Sequence, residues 1–176
     1  MTLNDYLSGP EEMRRRELVW GVMHEPPSPY VPHQRLIVRI SALLDTHVRE
    51  RDLGTVLVAP MDVILDSDRA LVVQPDVMFI SQARDSIIRE FVWGAPDLVV
   101  EIASGGTLTY DRTTKLEWYA HYGVRECWLV DCAPRGITIV TFDGGRQTAV
   151  RRLRVGDPIS STVLPEFTPD VDSFFV

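Results

Sequence analysis

The sequence predicts an α/β sandwich in which a mixed central β-sheet is flanked by two main helices. One long stretch carries apolar residues at three- and four-residue intervals, as in a helix that buries one face. Short apolar runs bounded by Pro, Gly and Asp follow it, which is typical of strands joined by turns. A second helical stretch separates two apolar runs, and such a crossover makes the two strands parallel neighbours.

The composition is that of one globular domain spanning residues 1–176, with 45% hydrophobic and 24% charged residues. Charge or a helix breaker interrupts every apolar run before about 18 residues, and the N-terminus lacks the apolar stretch of a signal peptide. We therefore expect a cytoplasmic protein with no membrane partner. Cys127 and Cys132 would point to opposite faces of one strand, so we expect reduced structural thiols rather than a metal site.

The net charge of −7 argues against a protein that is basic over its whole surface, as many nucleic-acid binders are. Two local basic clusters remain, at residues 14–16 and 151–154. They could contact phosphate groups or be solvated faces, and a bound metal ion would add positive charge. The charge therefore weakens a DNA hypothesis without excluding it.

The N-terminal third is predicted to hold a short helix, a strand and the first long helix. Thr2 can cap a helix at Leu3–Leu7, and residues 17–24 are strand-like. A proline-rich segment, residues 25–32, forces an extended loop. The long helix then spans residues 33–51, and its apolar stripe must be buried against a sheet. That stripe consists of Leu36, Ile37, Ile40, Leu43, Leu44 and Val48.

The rest of the chain is predicted to be mainly strands. A loop at residues 103–110 leads to the second long helix, residues 111–122, which Gly123 can stop. A buried strand, a hairpin and an apolar tail that packs on the domain come after this helix. The five strands before the helix form a meander and cover residues 54–59, 61–65, 71–74, 76–80 and 97–102. The elements after it cover residues 126–131, 136–142 with 148–153, and 159–176.

Glu101 is the residue that points most directly to chemistry. It interrupts the apolar run DLVVEIA, which otherwise predicts a strand covered on both faces. An ionised carboxylate is rarely buried unless it is paired or bound to metal, because its desolvation costs roughly several kcal/mol. Its candidate partners are Asp76, at the start of a strand, and Lys115 on the following helix.

These residue types suit phosphodiester hydrolysis. Two carboxylates from adjacent strands are hard oxygen ligands for Mg²⁺ or Mn²⁺. A lysine can orient or deprotonate water, or stabilise negative charge on a phosphate. Each residue also has a structural alternative: a buried ion pair for Glu101, a Pro-Asp turn for Asp76, and a surface ion pair for Lys115.

The same residues carry a resemblance to a known family. The pattern starts at Pro75-Asp76-Val77 and continues with PDLVVEIAS, residues 96–104, then Asp111, Lys115, Tyr119 and GVRECWLVD, residues 123–131. It resembles the Uma2 family, which belongs to the PD-(D/E)XK nuclease superfamily. The resemblance covers nearly the whole chain and implies a restriction-endonuclease-like core.

The resemblance implies a role for each matching residue. Asp76 and Glu101 would be the metal-ligating acids, and Lys115 would be the catalytic lysine. Glu17 matches an early acid of the family and would be an auxiliary residue of the catalytic site, as a further metal ligand or a water-positioning group, or else a strand-end surface charge. His33 matches a family position from which it could approach phosphate or metal, or else it is a structural histidine at a helix end.

The chain departs from the family pattern at three positions. Ala103 stands where the superfamily usually has its lysine, two residues after the glutamate, so the amine of Lys115 would have to reach the same point from the helix. Val22 stands where the family commonly has an acid, and Gly105 where it commonly has a proline.

The leading hypothesis is an Mg²⁺-dependent endonuclease that acts on DNA. A catalytically silent module that binds a partner or itself, and a hydrolase of small phosphate esters, are the alternatives. Trp118, Tyr119 and Tyr122 could stack on bases or belong to a core or dimer face, and a homodimer is expected because restriction-type folds often cut as dimers. Replacing Lys115 with Ala is expected to abolish cleavage and to leave folding intact.

Overall fold

The computed structural model of the chain describes residues 1–9, 15–103 and 108–175, and the side chains of residues 108–112 are not described. The three helices and most of the strands occur in the order that the sequence predicts. The helices are α1 (Leu3–Leu7), α2 (Val31–Glu50) and α3 (Leu108–Tyr122). The strands are β1 (Glu17–Val19), β2 (Val22–His24), β3 (Gly54–Val58), β4 (Val63–Asp66), β5 (Leu71–Val73), β6 (Val77–Ser81), β7 (Val92–Trp93), β8 (Leu98–Ala103), β9 (Glu126–Asp131), β10 (Gly136–Asp143) and β11 (Arg146–Arg154).

The strands form two sheets. The larger, six-stranded sheet has the order β11-β10-β9-β8-β6-β3, in which β8 and β9 are parallel, and it confirms the predicted mixed central sheet. The smaller, five-stranded sheet has the order β2-β1-β5-β4-β7. The prediction of a single meander is wrong, because β3 pairs with β6 in the larger sheet, whereas β4 and β5 lie in the smaller sheet, where β5 pairs with β1.

Helix α2 packs on one face of the six-stranded sheet. Its predicted apolar stripe forms one cluster with alternate residues of β6, β8, β9 and β10. The C-terminal tail covers the same face, where Leu164, Phe167 and Phe174 are buried. The prediction that the tail packs on the protein is therefore confirmed. Removal of this apolar surface from water is the main stabilising contribution on this side.

The opposite face of the six-stranded sheet is covered by α3 and by the five-stranded sheet. Val99 of β8 and Leu129 of β9 form an apolar cluster here with Tyr119 of α3 and Val73 of β5. Successive residues of a strand point to opposite faces, so Glu101 lies on the same face as Val99. The acid that interrupts the apolar strand therefore faces α3.

Strand pairing brings the two predicted metal ligands together. The crossover β8-α3-β9 makes β8 and β9 parallel, as predicted, with Glu101 opposite Leu129. β6 and β8 are antiparallel, with Val77 opposite Val100. Continuing this register by one residue places Asp76 opposite Glu101, the closest kind of cross-strand neighbour.

The structure corrects several predicted boundaries. Residues 17–24 form the hairpin β1-β2 instead of one strand, because Trp20 and Gly21 adopt positive φ angles of 52° and 80° and reverse the chain. Helix α2 begins at Val31 rather than at residue 33, since proline is tolerated in a first helical turn. Helix α3 begins at Leu108, earlier than predicted.

Other features agree with the sequence analysis. β10 and β11 form the predicted hairpin, and Gly144 and Gly145 both have positive φ in its turn. No disulfide joins Cys127 and Cys132. No helix in the described part of the chain is long and apolar enough to cross a membrane.

Candidate active site

Asp76 and Glu101 lie side by side at the junction between β6 and β8. Asp76 is 1% exposed, and its Oδ2 atom accepts a hydrogen bond of 2.7 Å from the backbone N–H of Ile102. The Glu101 side chain is 13% exposed. Asp76 therefore lies in the bend directly before β6, and its buried carboxylate is held by the backbone of the neighbouring strand β8.

Lys115 reaches the acids from α3. Its Nζ atom lies 2.7 Å from Glu17 Oε1 and 3.3 Å from Glu101 Oε1. Tyr119, one turn further along α3, donates its hydroxyl to the same Glu101 oxygen. The Lys115 side chain is 17% exposed, so it does not form a surface ion pair. Although Ala103 occupies the usual lysine position, the chain still brings an ammonium group to the glutamate.

Glu17 joins the two acids from the five-stranded sheet. It is buried at the first position of β1, and its Oε1 atom accepts a hydrogen bond of 3.1 Å from the backbone N–H of Gln74. Gln74 belongs to the segment that leads from β5 to β6, just before Asp76. Glu17 is therefore not a strand-end surface charge, and the three acids meet where the two sheets join.

Arg15 is the site residue that sequence analysis missed. Its Nη1 atom lies 2.5 Å from Asp76 Oδ1. Its Nη2 atom lies 3.6 Å from Glu101 Oε2 and 3.9 Å from Glu17 Oε1, and it donates to the carbonyl oxygen of Gln74. One guanidinium group therefore contacts all three acids.

The basic cluster at residues 14–16 is thus not simply a solvated face. Arg15 binds the acids, and Arg16 lies over the ring of Tyr6, 4.7 Å from its centroid. Arg14 lies outside the described residues. The available sequence signal is the spacing of Arg15 and Glu17, because residues two apart in an extended segment point to the same side.

His33 approaches Asp76 from the first turn of α2. It is 4% exposed, and its Nε2 atom lies 3.3 Å from Asp76 Oδ2. Its Nδ1 atom has no hydrogen-bond partner among the described residues. The structure therefore places His33 beside Asp76, one of the two predicted metal ligands.

The three acids have different pKa shifts because their surroundings differ. Burial pushes the pKa of Asp76 up, but the His33 hydrogen bond and the Arg15 charge outweigh burial and lower it overall. Burial also acts to raise the pKa of Glu17, but the charges of Lys115 and Arg15 outweigh burial and lower this pKa overall. The pKa of Glu101 is raised, because burial outweighs the attraction of the Lys115 charge. The negative charge of Asp76 raises the pKa of Glu101 further. Glu101 is therefore the acid that most readily takes up a proton.

Lys115 is held as a cation in this arrangement. Burial favours its neutral amine, but the charges of Glu101 and Glu17 outweigh burial and raise the pKa of Lys115 above its usual value. A lysine with a raised pKa is a poor base at neutral pH, whereas it is well suited to stabilise negative charge. Lys115 is also the only lysine in the chain, a signal that the sequence already carried.

Comparison with known proteins identifies the family. A model of the Uma2 family, described as "Putative restriction endonuclease", matches residues 3–172. The chain belongs to the Uma2 family. The fold of this Uma2 protein is similar to that of "a putative nuclease belonging to DUF820" from Anabaena variabilis ATCC 29413, with a TM-score of 0.79 and 16% sequence identity over 99% of this chain and 97% of that chain. A comparison with curated proteins gives no match.

The Uma2 resemblance and the fold class expected from the sequence are therefore confirmed. At 16% identity, the solved structure supports the fold and not the chemistry of the site. The roles of Asp76, Glu101, Lys115 and Glu17 stay predictions. Of the departures from the family pattern, Val22 is exposed in β2, and Gly105 lies outside the described residues.

The aromatic residues of α3 do not form one exposed face in this Uma2 protein. Tyr119 is buried and donates its hydroxyl to Glu101, so it belongs to the core and not to an exposed face. Trp118 packs edge-on against Trp20, with 5.8 Å between ring centroids. Tyr122 donates its hydroxyl to Asp66 over 2.7 Å. A dimer or base-stacking face made of all three residues is therefore not what the structure shows.

The donor set of this Uma2 site fits a divalent cation that is held by two carboxylates and water. Mg²⁺ commonly binds through one or two carboxylates and keeps several waters, and Asp76 and Glu101 supply two carboxylates from adjacent strands. In residues 1–9, 15–103 and 108–175, no group of three His, Cys, Asp or Glu side chains is arranged so that it could hold a metal ion without movement. Arg15 contacts both acids, so a cation at these oxygens would displace its guanidinium.

Acid is expected to destabilise this Uma2 protein through Asp76 and Glu17. A carboxylate whose pKa is lowered on folding contributes stability above its unfolded pKa, and that contribution is lost as pH falls through the folded pKa. The ordinary pKa of Asp76 is 3.8, so the free energy of unfolding should fall steeply below about pH 4. Glu101 acts with the opposite sign, because its pKa is raised.

Urea unfolding between pH 7 and pH 3 would measure this effect. Asp76→Asn should lose less stability over the acid range than the wild-type protein. Asp143→Asn, which changes an exposed carboxylate at the end of β10, should follow the wild-type curve. Parallel curves for the wild type and Asp76→Asn would show that Asp76 is not the source of the acid sensitivity.

Proposed function

We propose that this protein is an Mg²⁺- or Mn²⁺-dependent endonuclease that hydrolyses phosphodiester bonds in DNA. The observation that carries the proposal is the meeting of Asp76, Glu101 and the Lys115 ammonium at one buried junction. The description of the family as "Putative restriction endonuclease" supports the same reaction class. Two acids and one cation of this kind suit phosphodiester hydrolysis.

Each residue has a distinct role in this proposal. Asp76 and Glu101 hold the divalent cation, whose chemistry is to polarise a phosphoryl oxygen and to lower the pKa of water. Lys115 stabilises the negative charge that develops on the phosphate, since its raised pKa keeps it protonated. Tyr119 orients Glu101 through its hydroxyl, and Glu17 orients the Lys115 ammonium.

A catalytically silent module is the second candidate, and the Arg15 contacts favour it. Arg15 and Lys115 already compensate the three acids, as in a buried ion-pair network that serves the structure alone. Such a protein would bind Mn²⁺ weakly and would not hydrolyse any phosphate ester. If the protein is such a silent module, the fold is the same and the proposed activity is absent.

Asp76→Asn and Glu101→Gln are expected to lower the rate of DNA cleavage at least about 100-fold, because each substitution removes a charged oxygen donor of the metal site. Cleavage of supercoiled plasmid with Mg²⁺ or Mn²⁺, and with EDTA as the blank, measures the effect. Asp143→Asn is the matched control and should cleave like the wild type, since its carboxylate is exposed at the end of β10, an element that supplies no residue of the site. Equal rates in Asp76→Asn and the wild type would contradict the assignment of the site.

The substrate class is tested with the same preparations. Bis-p-nitrophenyl phosphate reports hydrolysis of a small ester, which a cleft of about 470 Å³ beside Asp76 could accommodate. Hydrolysis of this ester without cleavage of DNA would identify a small-ester hydrolase. No hydrolysis of either substrate, with no Mn²⁺ binding at millimolar concentration, would identify the silent module.

A further inference from the structure

Strand β3 forms one edge of the six-stranded sheet, and β11 forms the other. β3 is five residues long, and among the described strands it pairs with β6 alone. An edge strand presents backbone N–H and C=O groups that can pair with a strand of another chain. Each edge of the sheet can therefore accept such a strand, unless its side chains prevent the pairing.

The two edges of the sheet differ in their side chains. β11 has the sequence RQTAVRRLR, and such charged side chains commonly protect an edge strand against pairing with another chain. β3 has the sequence GTVLV, which contains no charged residue and no proline. Its most exposed side chain, Val58, is apolar and 40% exposed. Of the two edges, β3 is therefore the one that is open to pairing.

The hydrogen bonds between β3 and β6 determine which backbone groups of β3 are free. The N–H of Ala59, directly after β3, donates to the carbonyl oxygen of Asp76, directly before β6. In an antiparallel pair, residues that bond to the partner strand alternate with residues whose N–H and C=O groups point away from it. Counting back from Ala59, the residues of β3 that point away from β6 are Gly54, Val56 and Val58. Among the described residues, no further backbone hydrogen bond engages these outward groups.

The outward groups of β3 are complementary to a second copy of the same strand. A two-fold axis through Val56 makes two β3 strands antiparallel, with Val56 opposite its own copy and Gly54 opposite Val58 of the second copy. All three outward residues then form hydrogen-bonded pairs, and each pair exchanges two N–H···O bonds. Gly54 has no side chain, so it leaves room for the exposed Val58 of the second copy. This register is the one that engages every outward group of β3.

Helix α2 runs beside β3 in the opposite direction. At one end, the Leu53 N–H donates to the Val48 carbonyl oxygen. At the other end, Ile37 lines the same cleft as Ala59. The middle of β3 therefore lies level with the middle of α2, near residues 41–44. The axis that pairs two β3 strands thus brings two α2 helices together as antiparallel neighbours on one face of the joined sheet.

The side of α2 next to β3 is apolar and uncharged enough to take part in such a contact. Ser41 lies one turn from Ile37, and Val38 and Asp45 extend the same stripe at three- and four-residue spacing. The Asp45 carboxylate is paired with Arg49 over 3.6 Å, so this stripe carries no net charge. Four of the nine exposed large apolar side chains of the described chain lie on β3 or at the N-terminal half of α2, and such clustering marks an interaction surface. They are Tyr30, Val31, Val38 and Val58.

We propose that a second copy of this chain binds at the β3 edge, so that two six-stranded sheets join into one continuous sheet with their α2 helices side by side. Restriction-type folds make a homodimer an expectation without a surface, whereas the free groups of β3 specify a surface and a register. A standard interface buries roughly 800 Å² per partner, and the α2 stripe extends the contact beyond one strand. The inference does not rest on the proposed function, because this surface contains neither the three acids nor Lys115.

Sedimentation equilibrium in EDTA, from about 1 μM to about 200 μM protein, tests the proposal without metal or cleavage. The wild type should show twice the chain mass of 19.9 kDa. Val58→Lys places a charge on the open edge and should raise the Kd of the dimer about tenfold or more. Val150→Lys is the matched control, since Val150 is 44% exposed on the other edge strand, and its Kd should equal that of the wild type. A wild type that stays at 19.9 kDa throughout, or an equal Kd in Val58→Lys, would overturn the proposal.

Hydrogen exchange of the wild type reports the register directly and needs no variant to fold. The Val56 N–H points away from β6, so it should exchange fast in the monomer and at least about tenfold more slowly in the dimer. The Leu57 N–H bonds to β6 in both states and should change less. Protection of Val56 that rises with protein concentration would support the β3 pairing. Exchange of Val56 that is equally fast in monomer and dimer would show that the two copies meet elsewhere.

Discussion

Lys115→Met is expected to lower the rate of metal-dependent cleavage by about 10²–10³-fold, because it removes the cation that faces the developing charge on the phosphate. The side chain keeps its length and loses only the ammonium that contacts Glu17 and Glu101. Lys115→Arg keeps the charge and should recover part of the rate. The measurement is the single-turnover rate per folded protein in saturating Mg²⁺.

The same substitution is expected to destabilise the protein, which differs from the expectation drawn from the sequence. The Lys115 ammonium lies between two acids that are largely buried, and loss of one partner of a buried ion pair costs about 3–5 kcal/mol. The double variant Glu17→Gln/Lys115→Met removes one of the stranded charges and should regain stability without regaining cleavage. A folded Lys115→Met protein that cleaves like the wild type would remove Lys115 from the mechanism.

Because Lys115 is the only lysine, its charge state can be observed directly. Reductive ¹³C-methylation labels its Nζ and the N-terminal amine, and methylation keeps the lysine charge. In the folded protein the lysine signal should remain that of an ammonium beyond the ordinary lysine pKa of 10.5. Titration at or below that value would contradict the ion pairs with Glu17 and Glu101.

The sequence predicted the parts of the fold that depend on local pattern. The apolar stripe of α2 and the crossover β8-α3-β9 follow from periodicity and from the rule that a helical crossover joins parallel strands. Glu101 was predicted on physical grounds alone, since a lone acid in a buried strand needs a partner. The structure supplies three partners for it, which are Lys115, Tyr119 and Arg15.

The missed features depend on contacts between distant parts of the chain. Arg15 and Asp76 are 61 residues apart, and no periodicity links an arginine cluster to a particular strand. The division of the strands into two sheets depends on β5 pairing with β1, which strand propensity does not specify. The β1-β2 turn was missed because Trp20 adopts a positive φ, which is uncommon for a residue other than glycine.

Arg15→Met is expected to tighten Mn²⁺ binding about tenfold or more, because a divalent cation and the guanidinium require the same oxygens. Arg15 Nη1 lies 2.5 Å from Asp76 Oδ1 and Arg15 Nη2 lies 3.6 Å from Glu101 Oε2. Metal binding therefore has to break a hydrogen bond between charged groups, which contributes about 1.5–3 kcal/mol. The free Mn²⁺ signal in electron paramagnetic resonance measures the affinity without reference to cleavage.

The same variant should be less stable than the wild type without metal, since Asp76 then loses a buried cationic partner. Mn²⁺ should restore more stability to Arg15→Met than to the wild type, because ligand stabilisation grows as Kd falls. Arg89→Met, which changes an exposed arginine outside the site, should match the wild type in both measurements. Unchanged or weaker Mn²⁺ binding in Arg15→Met would mean that the acids contacted by Arg15 are not the metal ligands. The internal ion pairs would then be the whole function of the cluster, as the silent-module alternative requires.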